Sequence, residues 1–324
     1  MIRIGKLQLD VPFYQAPLSG YSEGPMRLLA RRYGCPLTFT GVMLDKIALH
    51  PKAVRKLQFQ PDDSEHPVGA QLLGDEPATM ASAAAAFEKM GYDIVDLNFA
   101  CPAPKVLRRM RGGYHLTQPD VIIETLRRTR DSIECPLSLK IRVGFNRDHQ
   151  SQDNFKRLVE QIAAEGVDLL TIHGRTVSDK YRGNADWQTV AEVKQTHPHM
   201  RVFGSGDLMT PENVVQRINT SGVCGVAIAR GAIGNPWIFA ETRALLQGRP
   251  KPQPDLCEQG LVMLEHFQMI RRLRPDNKAI PFFRKFVCGY CRRHPQRKQA
   301  QMAIMAAKTT QQLVQQITEW FDIR

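Results

Sequence analysis

Several short stretches of this chain combine residue types that could do chemistry. Cys101 lies in Asp96-Leu-Asn98-Phe-Ala-Cys101-Pro102. A thiol there could serve as a nucleophile, as a proton donor or simply as packing, and no histidine adjoins it in sequence to choose among these. Lys140 and Arg142 flank Ile141 at the end of one apolar run, and His173-Gly174-Arg175 closes another. Lysine and histidine are poor residues for a buried strand, so their placement at the ends of such runs points to function. Two glycine-containing turns, Gly204-Ser205-Gly206-Asp207 and Ala229-Arg230-Gly231, could offer backbone N–H groups to a phosphate, with Arg230 adding charge.

These residues need elements to position them. Eight apolar or β-branched runs read as strands: Phe13–Ala16, Leu37–Thr40, Val68–Leu72, Ile94–Asn98, Leu137–Ile141, Leu169–His173, Val202–Ser205 and Gly225–Ala229. Good helix formers lie between them, such as Ala78–Met90 and Phe155–Glu165. Eight β-then-α units over about 240 residues predict an α/β fold of the (β/α)8 TIM-barrel type, which typically needs about 250. A doubly wound open sheet is the competing arrangement, but no GxGxxG follows the first strand. In such a barrel, chemistry gathers at the C-terminal ends of the strands. Those ends carry Pro17-Leu18-Ser19, Gln71, Asn98 through Cys101, Lys140 with Arg142, His173, Ser205-Gly206-Asp207 and Ala229-Arg230. The two glycine turns follow the seventh and eighth strands, where barrel enzymes often bind phosphate.

With 324 residues, 43% of them hydrophobic, the chain can bury a sizeable core, which excludes a disordered protein. No apolar run approaches the ~18–20 residues of a membrane span. The start, Met1-Ile-Arg-Ile-Gly-Lys6, holds no long apolar segment, so a cytoplasmic protein without a signal peptide is expected. Seven scattered cysteines do not form a disulfide framework in a chain of this kind. Cys288-Gly-Tyr-Cys291 is a lone CxxC, and His149, His197, His199 and His266 lack metal-ligand spacing, so no metal is expected. A monomer is expected as well. The net charge of +12 favours a polyanionic partner. The segment Gly248-Arg-Pro-Lys-Pro-Gln-Pro254 reads as a linker because its prolines cannot continue a helix. It divides the chain into a barrel, residues 1–245, and a small helical C-terminal domain, residues 246–324, where Leu261–Arg272 and Gln301–Phe321 read as helices. That domain holds 14 Lys+Arg against 6 Asp+Glu, a net +8.

Six stretches then carry a resemblance: Ala16-Pro-Leu-Ser-Gly-Tyr-Ser-Glu-Gly-Pro-Met-Arg27, Gly69-Ala-Gln-Leu-Leu-Gly74, Asp96-Leu-Asn-Phe-Ala-Cys-Pro-Ala-Pro-Lys-Val106, Leu139-Lys-Ile-Arg-Val-Gly144, Thr171-Ile-His-Gly-Arg-Thr176 and Gly231-Ala-Ile-Gly-Asn-Pro-Trp-Ile-Phe239. In this order they resemble the tRNA-dihydrouridine synthases, and among these the bacterial B-type enzymes. The Asn-x-x-Cys-Pro and His-Gly-Arg-Thr elements are the specific ones. The resemblance implies FMN in the barrel mouth, NADPH as reductant, and reduction of a uridine in tRNA to dihydrouridine. It implies that Pro17, Leu18 and Ser19 cover the flavin and that Gln71 and Lys140 meet its ring. By the same resemblance, His173, Ser205, Gly206, Asp207, Ala229 and Arg230 would hold the ribityl phosphate, Asn98 and Arg142 would face the uracil, and Cys101 would donate the proton. The basic clusters Arg271-Arg272-Leu-Arg274 and Arg292-Arg293-His-Pro-Gln-Arg297-Lys298 are the expected RNA contacts.

The sequence also departs from the family pattern. Ser205 replaces an asparagine, Ala229 and Ala100 replace glycines, Leu107 takes a commonly polar place, and Gly113-Tyr114-His115 replaces a small, apolar run. Competing readings are a small-molecule pyrimidine flavin oxidoreductase, a divergent member acting on another RNA, and an RNA-binding protein that keeps flavin only as a structural element.

Overall fold

The structure, a computed structural model, describes residues 1–54 and 60–324. A hairpin of β1 (Ile2–Ile4) and β2 (Leu7–Leu9) opens the chain and precedes β3 (Phe13–Gln15) and α1 (Gly24–Arg32). Then come β4 (Thr38–Phe39), β5 (Met43–Leu44), α2 (Asp45–Ala48), α3 (Pro51–Val54), β6 (Val68–Leu73), α4 (Pro77–Lys89), β7 (Ile94–Asn98) and α5 (Pro104–Leu107). Next are α6 (Pro119–Ser132), β8 (Leu137–Arg142), α7 (His149–Glu165), β9 (Leu169–His173), α8 (Trp187–Thr196), β10 (Val202–Ser205), α9 (Pro211–Thr220), β11 (Gly225–Ile228) and α10 (Trp237–Leu246). Four helices follow: α11 (Leu256–Leu273), α12 (Asp276–Tyr290), α13 (Arg297–Ala306) and α14 (Thr310–Trp320).

The strands β3, β4 and β6 through β11 pair in parallel, and the β4–β6 and β3–β11 pairings close them into an eight-stranded TIM barrel. Every run read as a strand is one. Two strand features escaped the reading: the N-terminal hairpin, which plugs the bottom of the barrel with Ile4 and Leu9, and the short β5 beside β6.

Alternation along each strand separates two cores. Outward residues such as Val95, Leu97, Leu137, Leu139 and Ile141 pack against the helices. Inward residues form layers. At the bottom, Tyr14, Phe39, Ile94, Leu169 and Phe203 fill the barrel. Above them, the Tyr14 hydroxyl pairs with Thr171 Oγ1 at 2.8 Å, and Ser138 Oγ donates to Asp96 Oδ1 at 2.6 Å. The topmost inward positions are polar, and they are the strand ends described below.

Helix α10 ends at Leu246 and α11 starts at Leu256, capped by Asp255, whose side chain accepts from the Glu258 N–H. The expected single helix over Gln301–Phe321 is two, α13 and α14, because the capping box of Thr309 with Gln312 restarts the chain. The stretch around Cys288 reads as helical in sequence without bounds; it is the end of α12, whose interior Pro281 hides the helix's extent.

The C-terminal helices pack directly on the barrel. Trp237 meets both Tyr33 and Tyr290, and Tyr21 meets Phe286. Gly289 is the closest approach: a Cβ there would lie 1.9 Å from the carbonyl oxygen of Ile233. That contact accounts for the glycine of the CxxC. Cys291 is buried, Cys288 is exposed, and no group of metal-ligating residues occurs among the described residues. Gly289→Ala is expected to cost about 3 kcal/mol or more, since a backbone carbonyl must move to admit the methyl; denaturant titration against the parent measures it.

Four arginines of the tail's basic clusters, Arg271, Arg274, Arg292 and Arg293, make contacts within the protein itself. Arg271 pairs with Asp276 at 2.8 Å and Arg274 pairs with Glu23. Arg292 donates to the Met209 carbonyl at 3.2 Å, and Arg293 pairs with Glu241 while also donating to Asn235 Oδ1 at 3.0 Å. Such contacts form because a tail packed on a barrel must satisfy the polar groups it covers.

Candidate active site

Strand register sets the polar residues of the top layer side by side. Asn98 lies opposite Lys140, Arg142 opposite His173, and His173 opposite Ser205. Over this layer the barrel mouth opens as a cavity of about 160 Å³. All the residues singled out from sequence line it: Pro17, Leu18, Ser19, Gln71, Asn98, Cys101, Lys140, Arg142, His173, Ser205, Gly206, Asp207, Ala229 and Arg230. A larger cavity, about 680 Å³, lies between α7 and α8 and includes none of these strand-end residues. Arg147, Lys156, Glu160, Arg175 and Glu192 are among the residues that line it.

A chain of hydrogen bonds fixes the loop that carries the thiol. Gln71 Nε2 donates to Asp96 Oδ2 at 2.6 Å, and Asn98 Nδ2 donates to Gln71 Oε1 at 2.7 Å. Asn98 Oδ1 then accepts from the backbone N–H groups of Ala100 at 3.0 Å and Cys101 at 3.1 Å. Each amide retains one N–H for a ligand, since a primary amide carries two. Burial pushes the Cys101 thiol above its usual pKa, against the opposing pull of the Ala103 backbone and Arg142. Cys101 is therefore a protonated thiol at neutral pH.

Lys140 is desolvated. Burial lowers its pKa to about 8, with Asp96 pulling it up and Arg142 pushing it down. Arg142 is 3% exposed and staples two loops: Nε donates to the Ala100 carbonyl at 2.7 Å, and Nη1 to the carbonyls of Thr176 and Lys180, both at 2.9 Å. Burial lowers its pKa to about 10, so it stays charged. His173 is held neutral, well below its usual value, first by burial and then by Arg142, Lys140, Arg175 and Arg230 around it. Its Nε2 is buried without a hydrogen-bond partner among the described residues.

The phosphate-like corner has its own charge balance. Asp207 sits at φ +56° after Gly206 at φ +131°, a left-handed turn that exposes backbone on the cavity side. The Asp207 carboxylate is taken up by Arg175 Nη2, at 2.7 and 2.8 Å, and by the Ala185 N–H at 2.8 Å. Arg230 stands 3.6 Å away. Burial would raise the Asp207 pKa, but these partners outweigh it and hold it below the usual carboxylate range. The Asp207 side chain thus serves to orient Arg175 and Arg230, and the turn's backbone is what remains for a ligand.

Sequence reasoning missed Tyr181, Val42, Leu208 and Met209, which also line the cavity. Tyr181 is 56% exposed, with the guanidinium of Arg230 4.9 Å and that of Arg142 5.7 Å from its ring centre. The available signal was loop length: residues 174–186 form a long connection between β9 and α8, and long loops in compact domains are usually functional.

The family model described as Dihydrouridine synthase (Dus) matches residues 14–322. The chain belongs to the dihydrouridine synthase family. As a member it is an oxidoreductase on a TIM barrel. It is 30% identical, over its full length and 95% of the relative's, to the tRNA-dihydrouridine synthase B of Pseudomonas putida. It is 32% identical to that of Pseudomonas aeruginosa over 90% of this chain and 86% of the relative.

Two solved structures share the fold. One is the old yellow enzyme homologue of Zymomonas mobilis, with TM-score 0.56 and 13% identity over 78% of this chain and 93% of that one. The other is histamine dehydrogenase from Rhizobium sp. 4-9, with TM-score 0.58 and 13% identity over 83% of this chain; the match spans half of that longer protein. Among the described residues no helix is long and apolar enough to cross a membrane.

Proposed function

We propose that this protein reduces the uracil 5,6 double bond of uridines in tRNA to dihydrouridine, with FMN as cofactor and NADPH as reductant. The observation that carries the reading is Cys101 held as a thiol over the same cavity that gathers Asn98, Lys140 and Arg142. A phosphate-bearing flavin fits the residues present. His173 Nε2 is buried and has no partner among the described residues, the Ser205-Gly206-Asp207 turn offers backbone, and Arg230 supplies charge. Ala229 completes that corner, Gln71 and Lys140 would meet the ring system, and Pro17, Leu18 and Ser19 would cover it. Bound there and reduced by NADPH, the flavin would supply the hydride that goes to uracil C6.

The chain's own residues do the rest. Cys101 gives its proton to C5: the S–H bond breaks, a C5–H bond forms, and the thiolate left behind is reprotonated from water. A thiol raised by burial returns readily to its protonated form. Asn98 and Arg142 offer their remaining N–H groups to the uracil carbonyls. Extracting a stacked base costs a few kcal/mol, which cationic contacts to RNA phosphates offset. Cations of the C-terminal segment whose side chains face solvent without a partner among the described residues, such as Lys278, Lys298 and Lys308, supply part of that contact.

Two expected results follow. Because the Lys140 ammonium is lost as pH rises through about 8, FMN affinity of the apoprotein falls between about pH 7 and pH 9, and Lys140→Met flattens that dependence; fluorescence titration measures both. Mass-spectrometric mapping of tRNA from a deletion strain should show dihydrouridine lost at specific positions and restored by the gene. A purified protein that stays colourless with excess FMN, or a deletion strain with unchanged dihydrouridine, overturns the reading.

A further inference from the structure

The segment that follows the acid has an outer face with no role in the cavity. Helix α5 and the turns after it run from Pro104 to Met110, carried on by bonds from the Arg108 N–H to the Pro104 carbonyl and from the Met110 N–H to the Leu107 carbonyl. Lys105, Arg108 and Arg109 stand at the i, i+3 and i+4 positions of that turn, so they share one side. All three are exposed, and none of their side chains has a hydrogen-bond or ion-pair partner among the described residues. Met110, beside them, is 57% exposed at φ +51°. The inner face is anchored. Arg111 is 8% exposed and donates to Asp75 Oδ1 at 3.0 Å, and the Gly113 N–H donates to the Cys101 carbonyl at 3.1 Å.

Unpaired cations grouped on one turn, within a few residues of the acid, contrast with Arg274, Arg292 and Arg293, which are committed to the barrel. We propose that Lys105, Arg108 and Arg109 form an anchor for the RNA phosphodiester backbone beside the target nucleotide, so that the loop gripping the RNA is the loop that presents the Cys101 thiol. This rests on the tRNA reading above and adds where the RNA is held. Arg142 extends the anchor's effect across the mouth, since it joins the Ala100 carbonyl to those of Thr176 and Lys180. RNA binding and placement of the acid then become one event.

The test compares the parent with K105Q/R108Q/R109Q, using tRNA isolated from a deletion strain. Affinity is measured across a salt series, with bound FMN and Tm verifying the fold. The slope of log K against log salt should become shallower by about 2 to 3, at roughly 0.7–0.9 per phosphate contact. Alkylation of Cys101 by iodoacetamide, followed by peptide mass spectrometry, should be slowed by tRNA in the parent and much less in the variant. A folded, flavin-loaded variant whose salt slope superimposes on a salt-dependent parent overturns the anchor and leaves the tRNA reading standing. A parent without salt-dependent tRNA affinity overturns both.

Discussion

Replacing Cys101 with alanine is expected to slow dihydrouridine formation by about 10²–10⁴-fold, the usual contribution of a positioned general acid. NADPH-driven reduction of the bound flavin should be almost unchanged. The split follows from geometry. The Cys101 backbone N–H is held by Asn98, and that bond survives in the alanine variant, so the loop keeps its place and only the proton is lost. Single-turnover assays on the two half-reactions separate them. An alanine variant that forms dihydrouridine at the parent rate would show that the proton comes from elsewhere. Cys101→Ser should be nearly as slow, because a hydroxyl is a far weaker acid than a thiol.

Arg293→Ala is expected to lower folding stability by about 3–5 kcal/mol, the cost of leaving a buried charge without its partner. Glu241 is 3% exposed on its side chain, and Arg293 meets both of its oxygens, one at 2.8 Å, while donating to Asn235 and lying 5.7 Å from the Trp237 ring centre. Truncation strips all of these at once, at the seam where α12 meets the barrel. Arg293→Met combined with Glu241→Leu should recover much of the loss, since the uncompensated carboxylate is then gone. Urea denaturation of the parent, single and double variants decides the matter. If Arg293→Ala retained parent stability but showed a shallower salt slope for tRNA, this arginine would belong to the RNA surface.

The eight strands were legible in the sequence because each is a short apolar run bounded by turns, and the barrel's two-sided burial leaves such runs little else to be. The strand-end residues were legible for a related reason: a lysine or histidine at the end of such a run, as at Lys140 and His173, conflicts with simple burial. Chain order then determined which glycine turns follow the seventh and eighth strands.

What the residues alone left open was who pairs with whom. The bond from Asn98 to Gln71, the capture of Asp207 by Arg175, and the stapling of two loops by Arg142 join positions 27, 32 and 34 to 42 residues apart. Only closure of the barrel brings them within reach. The destination of the tail's charge was equally hidden. Arg293 stands in a basic cluster of the tail and Lys105 just after the thiol, and neither place says what its side chain meets. Tertiary packing sets Arg293 against a buried carboxylate and leaves Lys105 in solvent, because a side chain's partner depends on the surface folded against it.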